Sequence, residues 1–222
     1  MTATEKKVMD DILASLEKRA SVFVVGCGDC ATVLQTGGEF EVKEMSEALT
    51  AAGKTVTGWV VPDASCKILD MKKLLRDNKE AVAAADAILV LSCGAGVQAV
   101  SEAAENKPVV AGLDTIGQVD QFRLGQFYEW CSSCGECLLA EYGGVCPITR
   151  CPKGQLHGPC GGANEGKCEV NPEEACVWSL IYERAEKLGE EPAAIGAAYH
   201  EPRDYRKAGH PRQKVFEPRR GG

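Results

Sequence analysis

Twelve cysteines are the side chains best placed to do chemistry, and their spacing sorts them into three sets of four. Cys27, Cys30, Cys66 and Cys93 lie in the first half; Cys131, Cys134, Cys137 and Cys146 crowd into one short stretch; Cys151, Cys160, Cys168 and Cys176 follow at wider spacing. Thiolates are soft ligands for zinc and for iron–sulfur clusters. The opening segment, MTATEKKVMDDILASLEKRA, reads as a charged amphipathic helix and not as an export signal. The expected location is therefore cytoplasmic, where disulfides are disfavoured and a thiol-rich chain is expected to bind metal.

The run Cys131-x-x-Cys134-x-x-Cys137 is the most specific of these signals. Three thiolates at this spacing wrap one face of a [4Fe–4S] cluster, and a more distant cysteine supplies the fourth ligand. Cys146 and Cys151 are both followed by proline, like the last cysteine of bacterial ferredoxin runs, so the fourth ligand is open between them. Cys151, Cys160, Cys168 and Cys176 suit either a further cluster or a structural zinc, which spacing does not separate. The count is two or three [4Fe–4S] clusters, with zinc the other candidate for one site. His157 is a hydrogen-bonding neighbour or a substitute ligand, and Arg150 and Lys153 are cations that could offset cluster charge. Phe122, Phe127, Tyr128 and Trp130 lead into the first of these runs and are expected to shield a cluster or form part of a partner interface.

The first four cysteines need a scaffold to bring them together. Apolar strands are expected at Ser21–Val25, Val56–Val61, Ala87–Leu91 and Pro108–Gly112, with helices at Glu39–Ala52, Met71–Ala84 and Val97–Ala104 between them. Buried strands alternating with helices specify a parallel sheet covered on both faces, in a small Rossmann-like or flavodoxin-like α/β domain. Cys27 and Cys30 follow the first of these strands, Cys66 the second and Cys93 the third. Ligands bind outside the carboxyl ends of such strands, so the four thiols should converge there. Gly26, Gly28, Gly94 and Gly96 flank them, and Gly161 follows Cys160; bare backbone at these points can approach a cofactor and donate N–H groups to sulfur. Gly26-Cys-Gly28-Asp-Cys-Ala31 also fits the loose G-x-G-x-x-A dinucleotide loop, although Asp63, the nearest candidate for its acidic partner, comes late. Cys66 and Cys93 have, in addition, the plain alternative of buried core thiols.

Past residue 120 glycine, proline and cysteine dominate, and such a segment needs a staple to fold. The expected organisation is an α/β domain over 1–120, a cysteine-rich ferredoxin-like cluster domain over 121–190 and an extended basic tail over 191–222. A helix is expected at Glu173–Leu188 with Pro172 in its first turn. The tail, from His200 to Arg220 in particular, reads as an arm for an acidic partner surface or as a solvated end. A net charge of −7 argues against nucleic acid as a partner, and no stretch is long and apolar enough for a membrane span. No catalytic triad, carboxylate pair or HExxH helix stands out, which favours a carrier over an enzyme acting alone.

The segment Cys151-Pro-Lys-Gly-Gln-Leu-His-Gly-Pro-Cys160-Gly-Gly, followed by Gly166-Lys-Cys168-Glu-Val170, resembles the cysteine-rich C-terminal domain family associated with methylenetetrahydrofolate reductase, as in MetV-type small subunits. The resemblance extends through Cys131–Cys137 and, more loosely, to GCGDCATVLQTGGE. It implies a MetF-type partner, a barrel that carries FMN or FAD and reduces methylene-tetrahydrofolate to the methyl form in the Wood–Ljungdahl methyl branch. This chain would then be the electron-feeding subunit, supplied by ferredoxin or a larger redox complex. The alternative within the same resemblance is a zinc-stabilised assembly module with no redox role.

Overall fold

A computed structural model describes residues 1–196; the expected basic tail lies almost wholly outside the described residues. The chain divides into two compact units, Met1–Tyr128 and a second that begins at Glu129. The first unit thus runs past residue 120, because strand structure continues there.

The first unit is built on four parallel strands: β2 (Ser21–Val25), β3 (Thr55–Val60), β4 (Ala87–Val90) and β5 (Val109–Ala111). Their order across the sheet is β3-β2-β4-β5. This is the flavodoxin-like winding, in which the first strand stands between the second and the third and the chain reverses direction across the sheet. The connections are α2 (Cys30–Val33) and α3 (Glu39–Ala51) after β2, α4 (Ile68–Asp77) and α5 (Lys79–Ala84) after β3, and α6 (Gly94–Ala104) after β4. Side chains alternate across a strand, and here both faces are covered. Val22, Val24, Ala87 and Leu89 pack with Leu49 of α3 on one side. Phe23, Val25, Ile88 and Val90 pack with Met71, Leu75 and Val100 on the other. The central strands are continuous apolar runs for that reason.

Two sequence expectations are corrected in this unit. The opening segment is not one helix: β1 (Thr2–Lys6) pairs antiparallel with β6 (Leu113–Gln118), and only α1 (Met9–Ser15) is helical. The buried Ala3 and Thr4 explain the choice, since the Thr4 hydroxyl hydrogen-bonds that of Thr36 at 2.7 Å inside the protein. The helix expected at Met71–Ala84 is two helices broken at Asn78, whose amide side chain donates to the Leu74 carbonyl at 2.9 Å. A hairpin, β7 (Asp120–Arg123) with β8 (Gln126–Tyr128), closes the unit.

The second unit has little regular structure before α8 (Val177–Leu188); α7 (Pro147–Arg150) is a single turn. Its core is small: Tyr142, Cys176, Val177, Trp178 and Ile181, with Leu138, Val145 and Cys151 packed around them. The helix starts later than the expected Glu173, and Pro172 is not in its first turn. The preceding residues are held in another pattern: the Glu174 N–H donates to the Asn171 carbonyl at 3.0 Å, and the Cys168 N–H to the Glu174 carbonyl at 3.0 Å.

Candidate metal centres

The first cysteine set lies where the winding of the sheet reverses. Cys27 follows β2, Cys30 opens α2, Cys66 lies between β3 and α4, and Cys93 is the N-cap of α6. The loop after β2 is pinned by backbone: the Cys27 N–H donates to the Gly37 carbonyl at 2.9 Å and the Gly28 N–H to the Pro62 carbonyl at 2.8 Å. Burial pushes the Cys66 thiol up, and the neighbouring charges of Cys27, Cys93 and Cys30 push it further. Cys66 thus lies within electrostatic reach of Cys27, Cys30 and Cys93, which come from two other strand ends.

Cys27 differs from the rest of its set. It is nearly buried, and burial alone would raise its thiol. The backbone of Ser65 and Asp29 and the side chains of Ser65 and Ser92 act the other way and bring it below the ordinary thiol value instead. A carboxylate, thiolate or other anion that accepts several hydrogen bonds is held in its charged form. Sequence reasoning missed both serines. The signal was present, because each directly precedes a site cysteine, in Ser65-Cys66 after β3 and Ser92-Cys93 after β4.

The flanking glycines have packing reasons of their own. A Cβ on Gly26 would meet the Gly37 carbonyl oxygen and the Val42 side chain at 2.6 Å, and one on Gly28 would meet the Pro62 carbonyl oxygen at 2.9 Å. The Gly94 N–H is already donated to the Thr115 hydroxyl at 2.8 Å. The dinucleotide alternative finds little support here. That motif opens a full helix onto the pyrophosphate, whereas α2 is one turn and the chain bends again before α3.

In the second set, the Ser133 N–H donates to the Cys131 sulfur at 3.4 Å, and the Cys134 thiol faces the Glu136 carbonyl at 3.4 Å. Thr149 straps this loop to the turn that carries Cys146. Its hydroxyl accepts from the Ser132 N–H at 3.1 Å, contacts the Ser132 hydroxyl at 3.1 Å and receives the Cys146 thiol at 3.8 Å. Cys146 caps α7, with Pro147 at its first position. Proline is favoured there because its missing N–H would be unpaired in any case, so the Cys-Pro pair also marks a helix start. Cys137 lies exposed farther along the loop.

The third set is gathered most visibly. Cys151, Cys160, Cys168 and Cys176 all line one small pocket, together with Trp178, Lys153 and Glu169. Cys151 thus keeps company with the third set, and Cys146 is tied to the second. Two isolated bridges, Asn164 with Lys167 and Lys167 with Ala175, form a knuckle that carries Cys168 and Cys176. Cys176 then caps α8. Loop 152–160 is fixed from below by the Trp178 indole N–H on the Gln155 carbonyl at 3.1 Å and the Tyr142 hydroxyl on the Leu156 carbonyl at 2.9 Å. His157 does not line the cavity. Gly161 turns the chain just beyond Cys160 at a φ of +80°, a conformation glycine adopts without strain.

The two cations are committed to other partners: Lys153 pairs with Glu169, and the Arg150 guanidinium lies 5.1 Å from the centre of the Trp130 ring. The aromatic residues ahead of the second set are not a dry wall. Phe122 is 66 % exposed and Trp130 40 % exposed, and Phe122 meets Tyr128 edge-on at 5.9 Å between centroids.

Among the described residues no three or more His, Cys, Asp or Glu side chains are drawn together tightly enough to hold a single metal ion. No described helix is long and apolar enough to cross a membrane. Residues 110–206 match the family described as Methylene-tetrahydrofolate reductase C terminal. The cysteine-rich unit is therefore similar to that family. The match takes in the second and third cysteine sets and leaves the first outside it. No curated protein and no solved structure matches the chain significantly.

Proposed function

We propose that this chain is the iron–sulfur electron-transfer subunit of a methylenetetrahydrofolate reductase, passing single electrons to the FMN or FAD of a MetF-type partner in the Wood–Ljungdahl methyl branch. Ferredoxin or a larger redox complex is the donor in this reading. The observation that carries it is the gathering of Cys151, Cys160, Cys168 and Cys176 around one cavity inside the part that matches the reductase family. The donor sets suit [4Fe–4S] clusters, which four thiolates hold and whose potentials respond to hydrogen bonds on sulfur. When bound, such clusters supply one-electron carriers.

The protein's own residues do the rest. Cys27, Cys30, Cys66 and Cys93 follow strand ends at the sheet's switch point, Thr149 ties Cys146 to the Cys131 loop, and Trp178 and Tyr142 hold the loop that carries Cys160. The test is the iron, acid-labile sulfide and zinc content of the anaerobically purified chain, alone and with the flavin subunit. About twelve iron and twelve sulfide per chain is the full complement for three cubane clusters, and about eight for two. Zinc in place of iron throughout, with no reversible one-electron reduction, overturns the reading and leaves a zinc-held assembly module.

A further inference from the structure

The single turn α7 stands between two cysteines that suit the same role. Cys146 is its N-cap and Cys151 its C-cap, and each is followed by proline. At about 3.6 residues per turn, positions five apart are rotated by about 140° and displaced by about 7.5 Å along the axis. The two cysteines therefore start on different sides of the turn.

Positions three and four apart share a helix face, so Cys146 goes with Thr149 and Arg150, and Cys151 goes with Pro147 and Ile148. The first face meets the segment that opens the Cys131–Cys137 run. The Ser132 N–H donates to the Thr149 hydroxyl oxygen at 3.1 Å, and the hydroxyls of the two residues lie 3.1 Å apart. The Cys146 sulfur is 3.8 Å from that same Thr149 oxygen. The Arg150 guanidinium lies 5.1 Å from the centre of the Trp130 ring. Two neighbouring residues of α7 thus hold the run at Trp130 and Ser132, on either side of Cys131. The second face carries the buried Pro147. Cys151 packs against the core of Tyr142, Val177, Trp178 and Ile181, and it lines the pocket of Cys160, Cys168 and Cys176.

We propose that the Cys146–Thr149–Arg150 face of α7 selects Cys146 as the fourth ligand of the cluster held by Cys131, Cys134 and Cys137, with Thr149 as the positioning residue and Cys151 left to the third set. This rests on the iron–sulfur reading of the second set. The ligand chemistry is the same at either cysteine, so the choice falls to geometry. One Thr149 oxygen touches both the cysteine run and its distant partner, and Arg150 steadies the same segment from the next position.

The experiment measures iron, acid-labile sulfide and chelator-driven iron release in the full chain, purified anaerobically, for Cys131→Ala, Cys146→Ala, the double variant, Thr149→Val and Thr149→Ser. Two residues that serve one cluster give losses that do not add. Each single cysteine variant is expected to lose the same iron, about four per chain, and the double variant no more than either. Full iron in Cys146→Ala, or losses that add to about eight in the double variant, overturns the assignment. Thr149→Val is expected to release that iron to bathophenanthroline disulfonate about fivefold faster, the weight of one hydrogen bond. The remaining iron should keep its wild-type rate, and Thr149→Ser, which retains the hydroxyl, should behave as wild type. Unchanged release from Thr149→Val, or faster release of all the iron alike, shows that Thr149 does not position this ligand. If Cys131→Ala and Cys134→Ala both keep the wild-type iron count, the iron–sulfur reading of the second set fails instead.

Discussion

The two units reach stability by opposite routes. In the first, two apolar layers close over both faces of a parallel sheet; of its four cysteines only Cys27 belongs to a layer, and the layers are large without it. In the second, the core is one helix face and a tyrosine, and two of the cysteines, Cys151 and Cys176, belong to that core themselves. Thiols on a rim can be emptied without unfolding what carries them. Thiols that are part of the core cannot, because for a small, loop-rich fold the metal's binding energy is folding energy. The first unit should therefore fold without metal, and the second should not.

Metal removal is the strongest way to break this contrast. Anaerobic chelation should abolish protection over Val177–Leu188 while Ser21–Val25 and Ala87–Val90 stay protected, as read by hydrogen exchange of each segment. Equal loss in both units would mean that the rim cysteines are as structural as the buried ones.

A core truncation tests the second unit without touching a thiol. Trp178 is buried, meets Tyr142 and Tyr182 edge-on at 5.8 Å each, and donates to the Gln155 carbonyl. Trp178→Ala should cost about 3–5 kcal/mol, more than so small a core can spare. Retained cooperative melting of the second unit in that variant would place its stability elsewhere.

How far each unit could be read from the chain follows the same contrast. Strands such as Ser21–Val25 are legible because a run buried on both faces must be apolar at every position, and glycine ends it. The opening segment misleads because β1 lies outside the main sheet, and its Glu5, Lys6 and Lys7 look like a solvated helix face. In the cysteine-rich unit the spacing announces the ligands but not their surroundings. The start of α8 is set by backbone bonds from Cys168 and Cys176 that leave no periodic trace. Arg150 and Lys153 look like counter-charges by position, and their contacts with Trp130 and Glu169 leave no trace in the spacing. Ser65 and Ser92 were overlooked for a related reason: a single serine is ordinary, and only burial makes it informative.

Gly26→Ala probes the link between the sheet and the first site. The added Cβ has backbone on one side and Val42 on the other, so the loop bearing Cys27 must move. Overpacking of this kind costs about 1–3 kcal/mol. The first unit should lose that much in urea unfolding, while the midpoint of the second stays put. A shift confined to the second unit would contradict the separation of the two cores.

The smallest effect is a difference in pH response, and it separates the units by sign. Asp86, just before β4, accepts the Ala20 and Ser21 N–H groups at 2.9 Å each. The Ser21 backbone bond, with the Ser21 hydroxyl and the Ala20 N–H behind it, holds the carboxyl below its usual value. A depressed carboxyl binds protons more weakly when folded, so its stabilisation is complete above the ordinary carboxylate range and is lost as pH falls through the folded value. Tyr142 in the second unit goes the other way. Burial first, and then the charge of Glu141, raise its phenol, and its O–H donates to the Leu156 carbonyl, which only the protonated form can do. Its contribution is complete below about pH 10 and is lost as pH rises through the raised folded value. Hydrogen exchange across pH should therefore show an acid-side weakening around β2 and β4 that Asp86→Asn flattens. It should also show an alkaline-side weakening around α8 that Tyr142→Phe flattens. An acid slope unchanged by Asp86→Asn would mean that other carboxylates carry it, and the strand-end contacts at Ala20 and Ser21 would then be geometric rather than energetic.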